Sequence, residues 1–194
     1  MNSVHRALRT GTAEAHDRVD AAFAAFDLTD RESYAAFLRA HAEVLLPLED
    51  MLPGERILGD WEARKRGALL KEDLAFLPKP VRPEPVEGHL SASAAHGGEA
   101  PFDKLRANDD LAALAGALYV LEGSRLGGRF LSRQLPREFP RAYLDADQAP
   151  EKWRNLLDRL ETIIYQPAAL QSALAAAHQV FAAFERSARV WAKD

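Results

Sequence analysis

The sequence has no cysteine, which excludes disulfides, thiolate metal sites and iron–sulfur clusters together. It has no basic excess, since 25 Lys and Arg stand against 29 Asp and Glu for a net charge of −4. Displacing counterions from phosphates needs such an excess, so no nucleic-acid partner is expected. No apolar run approaches the roughly 18 residues of a membrane span. The start MNSVHRALRTGTAEAH has no apolar core behind its basic residues, so no secretory signal or membrane segment is expected and the predicted location is cytoplasmic. Several chemical signatures are also missing. No Glu has a His three residues later, which removes the di-iron carboxylate pattern. HExxH, GxxxxGK[ST] and GxSxG do not occur either, leaving no zinc hydrolase, phosphate loop or nucleophile elbow. Any metal must be held by His, carboxylate or Tyr.

What is present is helical periodicity in 194 residues that are 47% hydrophobic, a size and composition for one globular domain over residues 1–194. From Val4 to Phe26, apolar residues recur every three or four positions. A second helix is predicted from an N-cap at Thr29 or Asp30 to Leu52, kinked at Pro47. A third runs from near Asp60 to Leu77, with Trp61, Leu69, Leu70, Leu74 and Phe76 as buried candidates. A fourth begins after Asn108-Asp109-Asp110 and stops before Pro136. Two more follow, one around Pro150 to Tyr165 and one from Pro167, a proline in its first turn, to Trp191. No stretch alternates with period two, so the expected fold is all-α.

Residues 79–108 differ in kind. KPVRPEPVEGHLSASAAHGGEAPFDKLRAN holds four Pro and three Gly with almost no aliphatic content, too little to offset the entropy of ordering it. It reads as a disordered insertion between the third and fourth helices, and RPEPVEG with PFDKLRAN resembles a translated repetitive element found in unrelated bacterial proteins.

Two segments can carry chemistry. His16 shares a helix face with Val19 and Phe23, and Asp20 lies one turn on, placed to accept one ring N–H and strengthen the other nitrogen as a ligand. The alternative is a core-edge histidine bonded within its own helix. His5, His41 and His178 lack such a carboxylate and read as structural. In the fourth helix, ALYVLEGSRLGGRFLSRQL sets Gly123, Gly127 and Gly128 in a helix interior, where each costs about 1 kcal/mol against Ala. Either two helices cross tightly at Gly123 and Gly127, or a flat ligand lies on bare backbone. Arg125 and Arg129 read as charges on the outer face.

An axial His on one helix and Gly backbone on another would sandwich a planar metal-centred cofactor. LRTGTAEAHDRVDAAF and YVLEGSRLGG resemble the proximal-helix and distal-helix motifs of the haem oxygenase family, in particular its bacterial biliverdin-producing branch. The resemblance spans nearly the whole chain apart from the insertion. It implies a single-domain helical bundle with a kinked distal helix, and haem as both cofactor and substrate. It assigns His16 as proximal iron ligand, Asp20 as its hydrogen-bond partner, and Arg9 as a propionate partner. Gly123, Gly127 and Gly128 become the distal glycines that crowd the haem face. Ser124 stands where some members carry an Asp that organises distal water, and a hydroxyl cannot hold that charge. Tyr119 and Arg154 are further propionate candidates. The implied reaction consumes O2 and yields biliverdin, carbon monoxide and iron. With no flavin or nicotinamide fingerprint, electrons must come from a separate reductase or ferredoxin-type donor, and a phytochrome is one conceivable biliverdin acceptor. The competing readings are a non-enzymatic haem-binding or haem-trafficking protein on the same fold, and a haem-free helical interaction module.

Overall fold

The structure, a computed structural model, describes residues 3–78, 110–147 and 149–192; the expectation for residues 79–108 falls outside them. Over the described residues the chain is all-α, with no strand. Helix α1 spans Ser3–Phe23 and α2 spans Arg31–Met51, followed by a 3-10 turn at Gly54–Arg56. Then come α3 (Trp61–Arg64), α4 (Gly67–Ala75), α5 (Leu111–Ser132), α6 (Pro150–Ile163) and α7 (Pro167–Trp191).

Local signals set most of these boundaries. The Asp30 carboxylate accepts from Ser33 N at 2.7 Å and starts α2, and Asp110 accepts from Ala112 N at 2.8 Å to start α5, both as N-cap carboxylates do. Pro150 and Pro167 sit in the first turns of α6 and α7, where the missing N–H costs nothing. Pro47 lies inside α2, which continues past it to Met51. Helix α1 ends at Phe23 rather than Phe26, yet Phe26 still turns inward and is buried.

The single third helix expected from the sequence is two short ones. Their junction is held from outside: Glu49 of α2, itself buried, accepts from Arg66 N and Gly67 N, both at 2.8 Å. This borrowed carboxylate caps α4 in place of any side chain of its own, so the chain stops and restarts there. Phe76, expected in the core, is exposed at the end of α4.

Helix α7 is the hub and packs against α1, α2 and α5. Glycine sits where these helices touch. A Cβ on Gly116 of α5 would lie 2.0 Å from the Ala173 carbonyl oxygen of α7, a clash with backbone that nothing nearby can relieve. A Cβ on Gly11 of α1 would lie 2.6 Å from Leu174 of α7. Helix α5 then changes character along its length. Every residue from Ala112 to Glu122 is buried, whereas beyond Gly123 one face opens and exposes Ser124, Leu126, Gly127, Arg129 and Phe130.

Candidate functional site

Helices α1 and α5 meet where Tyr119 approaches Thr12 and Arg9. Burial pushes the Tyr119 phenol above its usual range, opposed by the Arg9 charge and the Thr12 hydroxyl. Thr12 is buried and donates to Leu8 O at 2.8 Å, as a threonine on a helix face commonly does. Tyr119 also meets the Trp153 ring of α6 at 5.6 Å, and His5 stands edge-on to both rings. Burial lowers the His5 pKa, with Arg9 adding to the shift. Arg9 itself is exposed and has no carboxylate partner among the described residues.

One turn beyond this contact on α1 stands His16. Its side chain is 60% exposed and runs along the apolar face rather than into it, its ring leaning edge-on against Phe181 of α7 at 5.8 Å. Nδ1 lies 3.1 Å from Asp20 Oδ2. The carboxylate thereby fixes which nitrogen carries the proton and leaves Nε2 available as a lone-pair donor. His41 is the opposite case. It bonds Phe37 O through Nδ1 at 2.9 Å among the rings of Phe23, Phe37, Tyr143 and Phe184. Burial lowers its pKa to about 4, so it is a neutral core histidine. His178 is exposed.

One turn beyond Tyr119 on α5 the glycine face begins. Gly123, Leu126, Gly127 and Phe130 fall on one side of the helix by their three- and four-residue spacing. A Cβ on Gly127 would meet nothing within 4 Å, and one on Gly123 would only touch the Trp153 ring at 3.6 Å. Neither glycine is needed for a helix crossing; that role belongs to Gly116. Leu126 is 48% and Phe130 68% exposed, so the bare backbone is flanked by apolar side chains facing outward. Gly128 is buried on the other side. A flat, largely apolar group with one metal coordination position fits this donor set: an accessible imidazole nitrogen on α1 and an open, apolar, Cβ-free wall on α5. Among the described residues no cluster of three or more His or carboxylates could hold a bare metal ion.

The back of that wall is polar. Glu122 is 3% exposed and receives Arg64 Nη1 on one oxygen and Arg125 Nη2 on the other, both at 2.8 Å. Arg125 also donates to the carbonyls of Arg64 and Asp147. Arg125 is therefore buried in an ion network, not the outer-face charge suggested by the sequence, because its partners at Arg64 and Asp147 are distant in the chain. Arg129 is exposed as expected. Ser124 donates to Leu121 O and accepts from Arg66 Nη2, both at 2.8 Å. Arg154 pairs with Glu151 at 2.9 Å in full view of solvent; its neighbour Trp153 is the α6 residue beside Gly123. Sequence reasoning missed Trp153, Arg66, Glu122, Leu126 and Phe130. Only the Glu122–Arg125 spacing of three carried a local signal.

Comparison with known proteins gives a consistent picture. The family described as "Heme oxygenase" matches residues 2–189. A protein named heme oxygenase from Xanthomonas campestris pv. campestris (strain 8004) is 32% identical over 164 residues, covering 80% of this chain and 88% of that protein. The solved structure of heme oxygenase from Leptospira interrogans superposes with a TM-score of 0.70 at 21% identity, covering 97% of this chain and 99% of that one; at that identity the likeness concerns the fold.

Proposed function

The chain belongs to the haem oxygenase family, whose members cleave haem to biliverdin with release of carbon monoxide and iron, and we propose that α1 and α5 are the two walls between which this protein holds haem, with His16 as the residue that would ligate its iron. The observation that carries this assignment is the His16–Asp20 pair, which engages Nδ1 and leaves Nε2 open beside Phe181. Haem is cofactor and substrate in this family; when bound it supplies the iron at which O2 is activated and the ring that is opened.

The protein's own residues hold, orient and exclude. Asp20 keeps the proton on Nδ1 and raises the basicity of Nε2. Gly123 and Gly127 keep side chains off the opposite face, so that helix backbone stands close to the reacting centre and sterically directs what binds there. Leu126 and Phe130 cover the ring with apolar surface and reduce water access. Gly128, buried behind this face, lets the helix bear on its neighbours. Arg9 faces the propionates at the α1 edge, with Tyr119 as a hydroxyl neighbour. Arg154, exposed and bound to Glu151, reaches a propionate only by leaving that partner. Ser124 would hold a water on the distal side through its Oγ, placing a proton source at that face.

Electrons come from a separate reductase. A ferredoxin-type donor and a phytochrome-type biliverdin acceptor are the finer partners this reading suggests. Among the described residues no helix is long and apolar enough to cross a membrane; a cytoplasmic site of action is part of this reading. Residues 79–108 are read as an insertion with no part in the chemistry. Adding haem to the purified protein and then a reductant under air tests the assignment: a Soret band should form and then give way to the biliverdin spectrum. A stable haem complex that reduces but never bleaches would favour haem carriage over cleavage.

A further inference from the structure

Arg66 is 4% exposed, sits at the break between α3 and α4, and reaches the distal-helix motif at Leu121 and Ser124. Its guanidinium lies over the Tyr143 ring at 5.0 Å. One nitrogen, Nη2, donates to both the Leu121 carbonyl at 3.0 Å and Ser124 Oγ at 2.8 Å, while Nε is buried with no partner. Its backbone N–H is committed to Glu49. The Ser124 hydroxyl has one proton, and that proton goes to the Leu121 carbonyl. What Ser124 still offers on the open side of α5 is a lone pair.

Resting on the haem-cradle reading above, we propose that Arg66 is a positioning residue that fixes Ser124 as an obligate hydrogen-bond acceptor on the distal face. A water bound there donates one hydrogen to Ser124 and so points its other hydrogen or its lone pair away from the helix, toward whatever occupies the face of the cradle. A free serine would rotate and offer its own proton in competition; the buried fork removes that choice. The charge behind the water is then a cation, where a carboxylate at the same place would be an anion. The distal face thus presents a water hydrogen to its occupant and favours one that accepts it, as an anion does, a property that sequence alone leaves undetermined. Glu49 bonds backbone and the buried Glu122 is taken up by Arg64 and Arg125. His41, whose pKa Arg66 helps to lower, is neutral, and the carboxylate beside this cation is Glu49, which accepts from the Arg66 backbone N–H.

Fluoride binding to the ferric haem complex reads the effect without any turnover. At fixed pH and salt, Ser124→Ala and Arg66→Gln should each weaken fluoride by about fivefold, the weight of one hydrogen bond. The double variant should lose no more than either alone, because both break one unit. Ser124→Thr, which keeps the hydroxyl, should restore the wild-type value. Ser124 is exposed, so its variants are expected to fold even if loss of the buried Arg66 proves too costly. Wild-type fluoride affinity in Ser124→Ala overturns the proposal, as does an Arg66→Gln protein that melts lower yet binds fluoride normally, which would mark a purely structural residue. A wild-type protein that takes up no haem overturns the cradle itself, a distinct result seen before any fluoride is added.

Discussion

Gly116 and Gly127 lie on the same helix and do opposite things: a Cβ on Gly116 would strike the Ala173 carbonyl at 2.0 Å, whereas one on Gly127 would meet nothing within 4 Å. The first lets helices cross, and the second leaves a surface bare.

Substitution separates the two roles. Gly127→Leu should leave the melting temperature of the haem-free protein equal or higher, since leaving Gly gains up to about 1 kcal/mol of helix propensity, while biliverdin formation falls sharply. Gly116→Ala should lower apo stability by at least the 1 to 3 kcal/mol typical of overpacking. Thermal melts of both variants without haem, beside turnover with it, check the pair. A Gly127→Leu protein that makes biliverdin at the wild-type rate would remove the steric role of that face.

His16→Ala should abolish the imidazole ligand and leave haem weakly held. Asp20→Asn should do less, since an amide still accepts the ring N–H but adds no negative charge. The iron–histidine stretching frequency of the ferrous complex is the direct measurement. It should drop in Asp20→Asn, and an unchanged value would count against the pairing seen at 3.1 Å.

His41 makes stability pH-dependent. Its folded pKa of about 4 lies below the ordinary histidine value of 6.5, so protons bind the unfolded chain more readily across that window. Its contribution is complete above 6.5 and is lost as pH falls toward 4, by at most about 3 kcal/mol given 1.36 kcal/mol per unit. Urea melts of His41→Phe should show a flatter acid limb than wild type between those values. Parallel curves would place the acid sensitivity elsewhere.

Glu122→Gln should be among the most damaging single changes, costing on the order of 3 to 5 kcal/mol, because it leaves Arg64 and Arg125 buried without their shared counter-charge. Equilibrium unfolding measures it. A loss under about 1 kcal/mol would mean that water reaches the network freely.

Much of this was legible in the sequence because it is local. Helices α1, α2, α5, α6 and α7 follow from 3.6-residue periodicity and caps such as Asp30 and Asp110, and the two motifs pointed to the family before any geometry. What escaped is what depends on partners far along the chain. The α3–α4 break is made by Glu49 from another helix, and Arg125 is buried because Arg64 and Asp147 come to meet it. Gly116 was overlooked because its small neighbours, Ala115 and Ala117, make an alanine-rich run look like ordinary propensity. In the sequence His16 reads as pointing into or along the face of Val19 and Phe23; it lies along it, because only partly buried side chains stand there and Phe181 of α7 meets the ring from one side.

Helix α5 is clamped along its first half and bolted at Glu122 and Arg125, while the stretch from Leu126 onward is open on one side. Its far half is held on one side only, through buried Gly128 and Ser132, and is expected to fluctuate more than the fully buried stem. Amide exchange in the haem-free protein should accordingly run faster over residues 126–132 than over 112–122, with the step falling at the bolt.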